Sequence, residues 1–145
     1  MKFAELNDHE TGAPVAQAEQ VVQLPLGLLG FERYKRFALT SSPEEAPFLW
    51  LQVVDDADLA FLVVSPFVVD PGYSPDIPDT DAQFLGLKGP HDALVFNIVT
   101  LHKHGPATIN LKGPIVINRH TFIGKQVVPL NAADLSLRHP LPAGA

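Results

Sequence analysis

Phe48-Leu49-Trp50-Leu51-Gln52-Val53 and Leu59-Ala60-Phe61-Leu62-Val63-Val64 flank the short acidic segment Asp55-Asp56-Ala57-Asp58. Two apolar runs of strand length, separated by a turn, have the spacing of a β-hairpin. Alternate side chains of a strand point to opposite faces, so Phe48, Trp50 and Gln52 share one face and Leu49, Leu51 and Val53 the other. Both faces carry apolar groups. That predicts burial on both sides, as in a barrel or a sandwich.

The pattern continues outward from this hairpin. Strands are predicted near Gln20–Leu24, Arg36–Ser41, Phe48–Val54, Leu59–Val64, Ala93–Leu101, Thr108–Leu111, Ile115–Asn118 and Phe122–Pro129. Pro25-Leu26-Gly27, Ser42-Pro43, Gly105-Pro106 and Gly113-Pro114 punctuate them; a proline removes an amide donor and belongs at a strand start or an edge. Fourteen Pro and ten Gly leave few windows for long helices. The best helix candidate is Asp79–Leu87, with Asp79 or Thr80 as its cap, Asp81 in the first turn and Gly86 as its stop. The expected class is all-β: one small antiparallel β-barrel-like domain over residues 1–145, closed or nearly so, with at most one short helix and an extended tail over 137–145.

The chain has 145 residues, the size of a single domain with a real core. It has no cysteine, which excludes disulfides, thiolate nucleophiles and cysteine zinc sites. No apolar run is long enough for a membrane-spanning helix, and the N-terminus lacks the apolar run of a signal peptide. A cytoplasmic protein is expected. The net charge of −6 is unevenly spread: −1 over residues 1–36, −9 over 37–87 and +4 over 88–145. The middle stretch holds nine acids and no Lys or Arg. Such a field steers a basic partner; it also serves solubility, and several of its aspartates sit beside Pro or Gly where they make turns.

The catalytic inventory is thin. No phosphate loop, dinucleotide fingerprint or nucleophile elbow is present. His102 and His104 would share a strand face and take one metal with His120 as third ligand; they precede Gly105-Pro106, where two solvated histidines at a hairpin end are the simpler expectation. Asp55, Asp56 and Asp58 form a carboxylate group, but at an exposed hairpin tip rather than in a desolvated pocket. Direct nucleic-acid binding is disfavoured, because the basic residues are dispersed and share a small surface with nine acids. No metal or cofactor is expected. Protein recognition remains, through the acidic field, through edge strands, and through Phe67, Tyr73 and Phe84 if they form one exposed face; the alternative for these three is core packing under a long loop.

A resemblance covers residues 17 to 141. Leu26-Gly27-Leu28-Leu29-Gly30-Phe31-Glu32, Pro47-Phe48-Leu49-Trp50-Leu51-Gln52, Leu59–Val64 with Pro66 and Asp70-Pro71-Gly72-Tyr73, Thr108–Asn118, and Gly124-Lys125-Gln126-Val127-Val128 occur in the order of the FliW flagellar assembly factor family, with Leu137–Leu141 in the tail. The chain resembles that family, and the first sixteen residues lie outside the resemblance. It implies a small, non-enzymatic, barrel-like protein of the bacterial cytoplasm. Such proteins bind flagellin and, alternatively, CsrA, the repressor of flagellin translation. When flagellin has been exported, the free factor takes CsrA off the flagellin message. The charge segregation assigns the CsrA face to Asp55, Asp56, Asp58, Asp76, Asp79 and Asp81, since an RNA-gripping protein carries basic surface. An apolar groove or edge with Phe67, Tyr73 and Phe84 is expected to take flagellin. Asn110, Asn118 and Gln126 are expected to satisfy buried backbone groups. Gly30, Gly113 and Gly124 are expected to supply positive φ, and Glu32 either caps a turn or meets a partner. A small barrel holding an apolar ligand and a His-metal enzyme are the alternatives; an interior filled by Phe48, Trp50, Leu51 and Phe61 would leave no cavity for such a ligand.

Overall fold

Side-chain alternation builds the architecture around one curled sheet. The computed structural model describes residues 1–3 and 18–141. The strands are β1 (Ala18–Gln23), β2 (Arg36–Ser41), β3 (Phe48–Val53), β4 (Ala60–Val64), β5 (Ala93–Thr100), β6 (Thr108–Ile109), β7 (Ile115–Asn118), β8 (Gly124–Gln126) and β9 (His139–Pro140). Two short helices, α1 (Pro66–Val69) and α2 (Asp79–Leu85), connect β4 to β5. All ladders are antiparallel, in the order β1-β2-β3-β4-β5-β6-β9, while β7 pairs with β5 and β8. The sheet curls until the Gln23 amide donates to the Phe122 carbonyl at 2.9 Å, and Gln23 and Ile123 form a single parallel bridge. Closure stops at that bridge, so the all-β, antiparallel expectation holds while the sheet stays open.

Each central strand feeds two cores. On one side of the sheet, Leu39, Leu51, Val53 and Val63 join Val22, Leu24, Phe37, Ile115 and Ile117. On the other side, Val64, Val95, Val99 and Val116 join Phe3, Phe67, Tyr73, Ile77 and Leu85, with Phe48 and Leu62 packed against them. The register explains the division. Phe48 pairs with Val64, Trp50 with Leu62 and Gln52 with Ala60; these share the outer face, while Leu49, Leu51, Val53, Phe61 and Val63 share the inner one. Burial on both faces is therefore found, with one correction. Trp50 is not in the interior: it stays 36% exposed, because α1 and α2 cover only the Phe48–Leu62–Val64 end of the outer face.

Other corrections have local causes. There are two short helices rather than at most one; Pro66 sits at the first helical position, where its fixed φ suits a helix and its missing amide costs nothing. Helix α2 starts at Asp79 after Pro78, and neither Asp79 nor Thr80 caps it with a side-chain bond. Its stop is as expected, with Gly86 left-handed at φ 71°. Gly30 does adopt φ 86°, but Gly113 and Gly124 do not have positive φ. A Cβ on Gly124 would lie 2.9 Å from both Ile117 and Leu24, so close packing between β8 and the inner core demands that glycine. The tail is extended and tied down: His139–Pro140 pair with β6, and the Leu141 amide donates to Ala107 O at 2.9 Å. Residues 4–17 and 142–145 of the expected domain lie outside the described residues.

The two-faced register makes a sharp prediction for adjacent residues. Leu51→Ala opens a cavity in the inner core and should cost about 2–5 kcal/mol. Trp50→Ala should cost less than half as much, despite removing a larger side chain. Urea denaturation followed by circular dichroism checks this, and equal losses would contradict the assigned faces.

Candidate partner-binding surface

The six aspartates expected to make one acidic face fall into two groups with different partners. At the β3–β4 turn, Asp55 is exposed and pairs with Arg36 at 3.1 Å. Asp56 accepts from the Tyr34 hydroxyl at 3.3 Å and from the Asp58 amide at 3.1 Å, which fixes the turn. Gln52 braces the same turn, its Nε2 donating to Asp56 O at 3.0 Å and Leu59 O at 2.9 Å. Asp58 projects into solvent. Around α2, Asp76 and Asp79 lie 3.3 and 3.8 Å from the Met1 ammonium. Asp81 is only 8% exposed and pairs with Lys125. Its place on an exposed acidic face is corrected: it turns inward because β8 presents a cation to the first turn of the helix.

The three aromatics do not form one surface either. Phe67 and Tyr73 are each 2% exposed and pack together with ring centroids 5.9 Å apart. The Tyr73 hydroxyl donates to Leu111 O at 2.7 Å, and Asn97 Nδ2 donates to Asn110 O at 2.7 Å beside it. This is the core-packing alternative, produced by docking of the 65–78 segment onto β5. Phe84 alone is at the surface, 49% exposed, with the Lys125 ammonium 5.8 Å from its ring centroid. Burial pushes the Tyr73 phenol up to about 12; the Asn97 hydrogen bond opposes the shift and Asp70 adds to it.

Among the described residues, the end of the outer sheet face that neither helix covers forms a shallow groove of about 720 Å³, which the sequence did not single out. Ala38, Thr40, Trp50, Gln52 and Ala60 line it, with Glu19 at its β1 side. Trp50 Nε1 donates to Glu45 Oε2 at 3.1 Å, so the indole and a carboxylate share one wall. The Asp55–Asp58 turn stands at the other end, where Val54 and Ala57 reach the groove. The alternation of Trp50 against Leu51 was the available signal; which end of the face stays open depends on distant helices.

The histidines are separated by their partners. His102 Nε2 lies 2.8 Å from Thr108 Oγ1, whereas His120 Nε2 lies 3.1 Å from Asp92 Oδ1. Backbone amide donation from Lys88 holds the Asp92 carboxyl below its ordinary range, with His120 the next contributor. Among the described residues no group of three His, Asp or Glu is placed to hold a metal, and no helix is long and apolar enough to cross a membrane. Asn118 and Gln126 do serve backbone groups: Asn118 Nδ2 donates to Leu85 O at 2.8 Å, and Gln126 Oε1 accepts from the Leu29 amide at 2.9 Å. Asn110 Oδ1 accepts from the Lys112 amide at 2.9 Å.

Known proteins resemble this chain in sequence and in fold. The FliW protein family model matches residues 5–141, including residues 5–16, where sequence alone showed no resemblance. The chain is 39% identical over 129 residues to the flagellar assembly factor FliW of Leptospira interrogans, covering 88% of this chain and 86% of that one. It is 38% identical over 140 residues to the protein of the same description from Treponema denticola, covering 96% and 94%. A crystal structure of the flagellar assembly factor FliW superposes with a TM-score of 0.74 at 33% identity, over 86% of this chain and 88% of that one.

The folded state holds the Tyr73 proton more tightly than the unfolded chain does. The associated stabilisation is complete below pH 10 and is lost as pH rises toward about 12. In a Tyr34→Phe background, where Tyr73 is the remaining tyrosine, ultraviolet titration should show phenolate forming well above pH 10. A normal midpoint would contradict the burial of this hydroxyl.

Proposed function

The chain belongs to the FliW family, a family of flagellar assembly factors rather than of enzymes, and from that premise we propose that it works in the cytoplasm by binding flagellin and CsrA as alternative partners, without catalysis. When flagellin has left the cell, the free protein takes CsrA off the flagellin message and synthesis resumes. When flagellin accumulates, it occupies the protein and CsrA represses again.

The observation that carries this reading is the acidic turn between β3 and β4, within a stretch of nine acids and no Lys or Arg. CsrA grips RNA and carries basic surface, so a protein partner that displaces RNA from it gains from matching negative charge, chiefly in encounter rate and specificity. Asp55, Asp56 and Asp58 gather there, with Arg36 bonded to Asp55. Asp76 and Asp79 make a second acidic group near α2. For flagellin, Phe84 is the one of the three expected aromatics exposed enough to touch a partner directly, while Phe67 and Tyr73 contribute by holding the loop before α2.

Calorimetry with purified flagellin and CsrA tests the proposal. Each should bind, and a flagellin-saturated sample should give no heat with CsrA. Reversing Asp55, Asp56 and Asp58 to Lys should weaken CsrA binding by about tenfold or more and flatten its salt dependence. Unchanged affinity in a folded triple variant overturns the acidic-turn assignment, and binding to neither protein overturns the function.

A further inference from the structure

We propose that the cleft between the loop over residues 30–34 and the β3–β4 turn is a seat for an arginine side chain of a basic partner protein, and that Arg33 of this chain fills it in the free state. This rests on the reading that CsrA is a partner, and it names the side chain that a basic protein of that kind inserts.

The cleft has a volume of about 460 Å³ and is lined by Gly30, Phe31, Glu32, Arg33, Tyr34 and Leu59. Its walls are held by the loop itself. The Phe31 amide donates to Leu28 O at 2.8 Å, and the Tyr34 amide donates to Phe31 O at 3.1 Å. A Cβ on Gly27 would lie 2.5 Å from the Glu32 Cα, so the loop closes tightly on itself there and fixes the backbone of Glu32. Phe31 meets Phe61 of β4 edge to face, with ring centroids 5.0 Å apart, yet stays 39% exposed. Gly30 is left-handed at φ 86°, and a Cβ there would meet nothing within 4 Å, so the mouth of the cleft is open.

The group already seated there indicates the ligand chemistry. The Arg33 guanidinium carbon lies 4.7 Å from the centroid of the Tyr34 ring, close enough for the ring quadrupole to attract a cation. Arg33 Nη2 donates to the Tyr34 hydroxyl, which donates in turn to Asp56 Oδ2 at 3.3 Å. Ring, hydroxyl and carboxylate thus act together on one guanidinium. Among the described residues Arg33 forms no ion pair. It is exposed, held by an aromatic face and a neutral hydroxyl, and is therefore exchangeable. With Arg33 swung out, Glu32 is the one charged residue left on the lining, and Asp56 stands behind the Tyr34 hydroxyl. An incoming guanidinium meets the same ring, and a partner surface that covers it removes water and strengthens the contact. A planar guanidinium stacks on an aromatic face, whereas an ammonium is compact and strongly hydrated, so arginine is favoured over lysine.

The first test needs no partner protein. The chain has two tyrosines, Tyr34 and Tyr73, so tyrosine-labelled protein gives two ring signals by NMR, and Tyr73 in the outer core serves as the reference. Titrating acetyl-Gly-Arg-Gly-amide into the Arg33→Ala protein should shift the Tyr34 ring signals saturably and leave Tyr73 unmoved. The glutamine version of the peptide should shift neither. Absence of a Tyr34 shift, or equal shifts with both peptides, overturns the proposal. The second test is calorimetry with CsrA. Arg33→Ala removes the internal occupant and should tighten CsrA binding by about threefold, whereas Tyr34→Leu removes the ring and should weaken it by about threefold. Tyr34→Phe keeps the ring and should weaken it less. If CsrA binds but is indifferent to both Arg33→Ala and Tyr34→Leu, the cleft assignment is overturned while the partner reading stands. If CsrA does not bind and the arginine peptide does, the partner reading fails and the arginine seat is supported.

Discussion

Strict two-residue alternation along a curled sheet with a core on each side is the constraint on which the rest depends. In β3 and β4, Leu51, Val53 and Val63 belong to the inner core, whereas Phe48, Leu62 and Val64 belong to the outer one. A slip of one residue would exchange the two sets and bury Gln52 in place of Leu51, so register is fixed from both faces at once. Among the described residues, both sides of the sheet are filled except at one end of the outer face. The proposed function draws on the acidic turn beside that remaining area.

Buried polar groups secure the outer core. Tyr73 and Asn97 sit among apolar side chains but hydrogen-bond to the Leu111 and Asn110 carbonyls. Asn118 ties the end of β7 to the last turn of α2 through Leu85 O and accepts from the His120 amide. Polar groups with partners in a low-dielectric interior resist sliding more than apolar contacts do. They hold the 65–87 segment in place, and its extent determines how much of the sheet face stays open. The Asp81–Lys125 pair fastens the same helix to β8.

Much of the fold was legible. The bounds of Arg36–Ser41 and Ile115–Asn118 agree between sequence and structure, because clear breakers flank alternating apolar residues there. The last predicted strand is shorter: Phe122 takes a left-handed φ of 56° in a turn held by Asn118, so pairing begins only at Gly124. The strand at Thr108 ends early because the Asn110 side chain accepts the Lys112 amide and turns the chain. His139–Pro140 was not legible as a strand, since two residues that include a proline carry no periodicity and pair only through a distant partner. For the site, the hairpin and its acidic tip were readable from spacing. The inward turn of Asp81 and the burial of Phe67 and Tyr73 were not, because they follow from contacts with β8 and β5 that no local pattern encodes. The exposure of Trp50 was hidden for the same reason: alternation assigns a face, and only tertiary packing determines which end of it is covered.

CsrA binding, as proposed, covers the acidic turn between β3 and β4 and the sheet face beside it. Amide hydrogen exchange of the protein, alone and bound to CsrA, tests it most directly. Slowed exchange is expected at residues 54–59, with the β6–β9 side unchanged. Protection confined to β6, β9 and the loop between β5 and β6 would contradict it.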